Sequence, residues 1–288
     1  MNEKLKAFQN RKRRSETMVI LGGALLIIST MLFVFDIAFF FLVFALFIAG
    51  AVTLFLGYSS YSSIQGEFKN QVLKNILEES VEDGEYNPRM GLSANQIYQG
   101  ECLDKADDVR TEDFLSGSID GVSFVSSDVT LSTYETVSTG RRVSRVRRAF
   151  FSGRVFNFEF NKSFTGRVFV MEKGEPKTQY DTEEVELESG EFNDIFNIYA
   201  TDSHTAFYVL TPQIMEGLLK IERNHPGDLS FSFIGNKLNI AINNNLDTFA
   251  LTMFRPLDET AIKSFKEDLD IFKDVIRSLN LNREIFKD

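Results

Sequence analysis

The sequence predicts an α+β protein: an N-terminal two-span transmembrane helical hairpin followed by a mixed, mainly antiparallel β domain with flanking helices. Three observations carry that expectation. Two uncharged apolar runs stand near the N-terminus, each long enough to be a span. The remainder is acidic and of ordinary globular composition, with 25% charged and 43% hydrophobic positions over the chain, which excludes wholesale disorder. Within it, strand-like alternation and helix-like spacing follow one another without a regular repeat, the order of an α+β fold.

The spans come first. Thr17 to Phe35 and Ile37 to Gly57 contain no charge, and about 20 apolar residues suffice to cross a hydrocarbon core. One continuous helix would be twice the core thickness and would put Asp36 at mid-membrane at a cost of several kcal/mol. Two spans, 17–35 and 37–57, with a turn at Phe35–Asp36–Ile37 avoid that cost. A signal peptide has a shorter apolar core and a small-residue cleavage site, neither of which is present here. The Arg11-Lys12-Arg13-Arg14 cluster assigns residues 1–16 to the cytoplasm by the positive-inside rule. An even number of spans then returns the chain to the same side, so a bacterial plasma-membrane protein with both termini cytoplasmic is expected. Ala45, Ala49 and Thr53 form a small-residue row suited to helix packing, within the chain near Gly22, Gly23 and Ala24 or between copies in an oligomer.

Charge separates the two parts. Met1–Gly57 holds 6 Lys/Arg against 3 Asp/Glu, so of the chain's 31 and 41 the remaining residues keep 25 and 38, a net of −13. A domain so acidic repels nucleic acid, and no nucleic-acid partner is expected.

Residues 58–120 read as a helical linker region and 121–288 as the cytoplasmic α+β domain. A 3.6-period stripe (Ile64, Phe68, Val72, Leu73, Ile76, Leu77) predicts a helix over 58–82. Gly84, Asn87, Pro88 and Gly91 break it, and Ser93 caps a short helix to Ile97. The run Asp104–Asp113 reads as a solvated charged connection. Residues 123–133 alternate imperfectly, and 154–160 alternate well with Phe156, Phe158 and Phe160 on one face. That strand and 166–170 are expected to form a hairpin. Val185 and Leu187 mark a short strand, and Ala206–Leu210 another that runs into Thr211-Pro212, a cap and first-turn proline. The helix after it carries Ile214, Met215, Leu218, Leu219 and Ile221. Residues 229–233 and 238–242 form a second hairpin about Gly235-Asn236. An amphipathic helix over Asp258–Leu281 completes the chain.

Chemistry-bearing residues are few: one Cys, two His and no Trp. Cys102 can form no internal disulfide and has no basic neighbour to activate it. Asp202, Ser203 and His204 are adjacent in sequence, and neighbours on a turn do not converge as a triad must; His225 before Pro226-Gly227 is a turn residue. No phosphate-binding glycine loop occurs, and the acids of 104–113 lack the alternation and central Gly of a calcium loop. No catalytic residue, cofactor or metal ligand is therefore assigned. One local feature opposes the acidic background: Arg141, Arg142, Arg145, Arg147 and Arg148, with no acid between Glu135 and Glu159. It is either a solvated strand extension or loop, or a patch for an anionic partner, with anionic lipid the nearest source.

Four strings carry a resemblance: Phe151-Ser-Gly-Arg-Val-Phe; Phe160-Asn-Lys-Ser-Phe-Thr-Gly-Arg-Val; Val185-Glu-Leu-Glu-Ser-Gly-Glu-Phe-Asn-Asp-Ile-Phe; and Thr205-Ala-Phe-Tyr-Val-Leu-Thr-Pro-Gln-Ile-Met-Glu. With the hairpin, they resemble a bacterial membrane-protein family named only as a domain of unknown function, thirty-one thirty-seven, some streptococcal members of which are labelled galanin. The resemblance implies a bacterial origin and a cytoplasmic domain behind two spans, and it brings no activity. The expected function is a membrane-anchored, non-enzymatic binding or regulatory module engaging a protein partner or anionic lipid. The alternative is a membrane-tethered hydrolase or transferase using carboxylates such as Glu188, Glu191 and Asp202.

Overall fold

The computed structural model describes residues 2–35, 40–139, 142–159, 165–247, 249–257, 263 and 270–279. They fall into two compact units, Met1–Leu73 with Phe249–Phe265, and Lys74–Thr248 with Lys266–Asp288.

The first unit is a pair of long helices, α1 (Asn2–Phe35) and α2 (Phe40–Phe68), the second followed by one π-helical turn, Lys69–Leu73. The expected turn around Asp36 lies in 36–39, outside the described residues. The helices pack where glycine removes the side chain. A Cβ on Gly22 would meet the backbone of Leu54, one on Gly50 would meet Leu25 and Leu26, and one on Gly57 would meet Val19. Val43, Gly50 and Gly57 recur every seven residues on the buried side of α2, a seam that keeps one face toward its neighbour. This corrects the small-residue row as a contact within the chain: Ala45 and Ala49 are exposed, and nothing lies within 4 Å of a Cβ placed on Gly23. Glycine permits a closer backbone approach than alanine, and the packed face forms around it.

Of the basic N-terminus expected over 1–16, residues 2–16 are part of α1. Lys12 is 1% exposed; its ammonium donates to the Glu16 carboxylate and, at 2.6 Å, to the Arg255 carbonyl. Gln9 accepts from the Leu257 N–H (2.6 Å), Glu16 from the Phe254 N–H (2.8 Å), and the Tyr61 hydroxyl donates to the Leu251 carbonyl. Segment 249–257 is thus hydrogen-bonded into the helical unit, 190 residues or more along the chain from its partners.

The second unit is built on a sheet that, among the described residues, has nine strands. They are β1 (Glu82–Asn87), β2 (Asp108–Ile119), β3 (Val122–Thr139), β4 (Arg142–Glu159), β5 (Arg167–Met171), β6 (Glu183–Glu184), β7 (Asn197–Ala200), β8 (Asp228–Ile234) and β9 (Lys237–Asn243). Their order is β1-β2-β3-β4-β9-β8-β5-β7-β6, and every pair is antiparallel. Its helices are α3 (Lys74–Glu78), α4 (Ala94–Tyr98), α5 (Gly190–Ile195), α6 (Ser203–Val209), α7 (Pro212–Asn224) and α8 (Asp270–Ser278).

Several local expectations hold. Ser93 closes a full capping box with Gln96 on α4. Thr211 caps α7 with Pro212 in its first turn, and β8 and β9 form the second hairpin. Four need correction. The helix expected over 58–82 ends at Glu78, and Glu82–Asn87 is a strand. β4 and β5 are not a hairpin: Phe156 pairs with Ser126 and Ile240, while β5 lies between β8 and β7. The strand expected at Ala206–Leu210 is the helix α6. There the Asp202 carboxylate accepts from the Thr205 N–H at 2.8 Å and its hydroxyl at 2.7 Å. Ala206, Val209 and Leu210 then fall at helical spacing on the buried side, leaving Phe207 and Tyr208 exposed. Val185 and Leu187 are buried but only Glu183–Glu184 pairs as strand. Of the final helix, the described part is Asp270–Ser278; residues 258–262, 264–269 and 280–281 lie outside the described residues.

The sheet buries both faces. On one, Phe124, Phe156 and Phe158 neighbour one another and Phe272 of α8 sits 4.6 Å from Phe124 and 5.0 Å from Phe156, ring to ring. On the other, Leu92, Ile97, Val129, Leu131, Phe151, Val155 and Ala241 form a cluster under Tyr98, Leu103 and Ala106.

Candidate functional site

The five arginines occupy the outer half of a long hairpin. β3 and β4 are both 18 residues, but β9 reaches β4 only from Gly153 inward and β2 reaches β3 only to Ser132. From Thr133↔Arg148 to Thr139↔Arg142, seven rungs pair with each other alone, an arm of about 24 Å at ~3.4 Å per residue. Strand alternation puts 145 and 147 on one face and 148 on the other. Val143 is 72% exposed, and Tyr134, Val137, Val146 and Phe150 are also exposed. Arg141 lies outside the described residues.

The arm is braced at its base. Asp107 accepts from the Tyr134 N–H at 2.9 Å. Arg147 reaches Asp108 at 2.7 Å, and Arg110 meets the same carboxylate at 3.3 Å. Arg148 pairs with Glu135 at 3.2 Å, and the Arg145 guanidinium lies 4.5 Å over the Tyr134 ring, a cation–π contact. Five Arg against one acid still leave residues 133–148 at a net +4.

Beside the base lies a cleft of about 500 Å³ lined by Arg110, Glu112, Asp128, Arg147, Asn245 and Asp247 among others. Behind it is a buried ionic group. Arg154, 3% exposed, donates to Asp128 at 2.8 Å, to the Asp113 carbonyl at 3.0 Å and to Ser126 at 3.1 Å. Asp113 is 0% exposed, in the left-handed backbone region at a bulge of β2, and accepts from the Tyr86 hydroxyl. Burial, then the Asp113 charge, pushes the Tyr86 hydroxyl far above its usual pKa, so Tyr86 acts as a donor.

Carboxylate oxygens of Asp113, Asp128 and Asp247 lie within 4.8 Å of one another. These are the residues that could hold a divalent cation through oxygen ligands, with Arg154 supplying positive charge on one side. Of the segment 104–113, only 104–107 is a connection with exposed acids. β2 begins at Asp108, and the bulge turns Asp113 inward. No local pattern marked this group, since Asp113, Asp128 and Arg154 meet only through the register of three strands.

The other singled-out residues have local partners. Asp202 caps α6, and the Thr205 hydrogen bonds hold its carboxyl below its usual pKa. Glu191 is in an ion pair with Arg223, Glu188 is exposed, and exposed His204 sits in the first turn of α6. His225 caps the end of α7. Cys102 donates to the Gly100 carbonyl at 3.2 Å, and burial pushes its thiol up to about 12.

Two helices are long and apolar enough to cross a membrane, over Glu3–Phe33 and Phe40–Glu78. No curated protein matches the chain. The crystal structure of the mycobacterial trehalose monomycolate transport factor A, TtfA, is similar with a TM-score of 0.37 and 10% identity, over 71% of this chain and 92% of that one; a likeness of that degree assigns no role. Residues 149–281, from the inner part of β4 through α8, match the model of the family described as protein of unknown function (DUF3137).

Proposed function

We propose that this protein is a membrane-anchored, non-enzymatic binding module that presents a basic β arm to an anionic partner. The arm is the observation that carries the reading. It extends beyond every neighbouring strand, concentrates positive charge on an otherwise acidic domain, and exposes Val143, Val137 and Val146. Cationic and apolar groups together on a protruding element suit an anionic surface with apolar patches. Anchoring in a bacterial plasma membrane through residues 17–57 is supported by two uncharged apolar runs that leave Ile27, Phe41 and Phe55 exposed. The Arg11–Arg14 cluster favours both termini in the cytoplasm.

The test uses the full chain in membranes, with a photoreactive residue replacing Val143. An adduct that forms in wild type and is lost on Arg→Ser substitution at Arg141, Arg142, Arg145, Arg147 and Arg148 is the expected result. No adduct, or one indifferent to the five substitutions, overturns the reading. The side is read separately by a Cys at Ser144 in a Cys102→Ser background. It should resist an impermeant thiol reagent until the cells are lysed; labelling before lysis puts the arm outside.

A further inference from the structure

We infer that the anionic partner of the arm is a second copy of this chain, engaged at the acidic edge formed by β6 and the segment leading into α5; this rests on the reading of the arm as a binding element. The edge is unusual in its charge. Between Thr178 and Leu219 there are nine Asp/Glu and no Lys or Arg. Asp181, Glu183, Glu184, Glu186 and Glu188 are all exposed, alternating through 184–188 with buried Val185 and Leu187. Among the described residues none of these five acids is in an ion pair, whereas neighbouring Glu191 is held by Arg223. β6 ends the sheet, pairing only with β7, so its outer backbone groups face no strand. Among the described residues the arm likewise has no strand on either of its edges.

Open edges are templates for pairing, and charge decides which pairings are tolerated. Two acidic edges repel one another, as do two basic arms, while an arm against the acidic edge places opposite charges across the rungs. The arm cannot serve its own edge. β6 lies five strands from β4, about 24 Å sideways at ~4.8 Å per strand, whereas the arm projects along the strand direction. The alternation of 148 with 145 and 147 also matters. A flat lipid surface meets one face of the arm, but strand addition uses its edge and lets residues of both faces flank the acidic strand. The contact is heterologous, so copies add head to tail into a ring or a row. Confinement to one membrane raises their effective concentration.

The experiment uses two differently tagged full-length copies in one membrane, with the photoreactive residue at Val143 of the first. The expected adduct joins the copies and maps to residues 178–191 of the second. R145E with R148E in the first copy, or E183R with E186R in the second, should lower the yield about tenfold, the equivalent of roughly 1.4 kcal/mol. Combining the two reversed copies should restore it, and raised salt should weaken the wild-type contact. An Arg-dependent adduct found on lipid or on another protein overturns the second-copy assignment and leaves the arm's binding role standing. So does failure of the reversed pair to regain yield. Absence of any Arg-dependent adduct removes both.

Discussion

Along one hairpin, two regions of the molecule share the same strands and the same antiparallel pairing and differ in almost everything else. Between Val122–Leu131 and Phe151–Glu159, β3 and β4 have β2 and β9 alongside, Phe272 on one face and the Leu92–Ala106 segment on the other. From Thr133 and Arg148 outward, among the described residues, no third strand pairs with them. An isolated two-stranded ribbon is marginal in water, so the outer half depends on its bracing by Asp107 and Asp108 and on contacts such as Arg145 over Tyr134. The lesson is that strand pairing alone does not make a core; the inner half is held by its neighbours, and the outer half is free to meet something else.

The sharpest way to break the inner half is Arg154→Leu, which takes the guanidinium from the buried Asp128 carboxylate. Removing one partner of a buried ion pair costs about 3–5 kcal/mol, to be read by chemical denaturation of the detergent-solubilised chain followed by circular dichroism. Arg154→Leu with Asp128→Leu should regain part of the loss, because the Asp128 charge is then no longer buried without its guanidinium. A smaller effect is expected from Tyr86→Phe, which removes the hydroxyl that donates to the fully buried Asp113; about 1.5–3 kcal/mol follows from losing a hydrogen bond to a charged group, in the same assay.

Cys102, next to Leu103 in the segment covering the inner half, offers a test by pH. With the folded thiol near 12 against an ordinary 9.0, folding favours the protonated form. Its contribution is complete below about pH 9 and is lost as pH rises toward 12. Wild type and Cys102→Ser should therefore differ in their stability slope above pH 9 and run parallel below it. Alkylation at neutral pH should wait for unfolding. The least effect belongs to the outer half. Deleting 134–147 and closing the strands with Asn-Gly should change unfolding stability by no more than about 0.5 kcal/mol, while abolishing the Arg-dependent adduct. A larger loss would mean that the arm is structural after all.

Much of the fold was legible because its signals are local. The uncharged runs, the Ser93 and Thr211 caps and the alternation of 229–233 and 238–242 each sit within a few residues. Ala206–Leu210 misled because its composition suits a strand, while a hydrogen bond from three residues away, Asp202 to Thr205, commits it to a helix. The site was half legible. Five arginines in eight positions are plain in any reading, but that they stand on a protruding arm depends on where β2 and β9 stop.

By itself the sequence determined the class of the protein: the apolar hairpin, the acidic domain, the basic patch and the periods of its strands and helices. These follow from transfer free energies, charge and spacing, which act residue by residue. Only the tertiary structure decided which strands are neighbours, that β4 lies against β9 rather than β5, and that Asp113, Asp128 and Arg154 meet. Glycines 22, 50 and 57, and not the alanine row, carry the helix contact for the same reason. Each depends on complementary partners drawn from distant parts of the chain, and no local pattern encodes a partner's position.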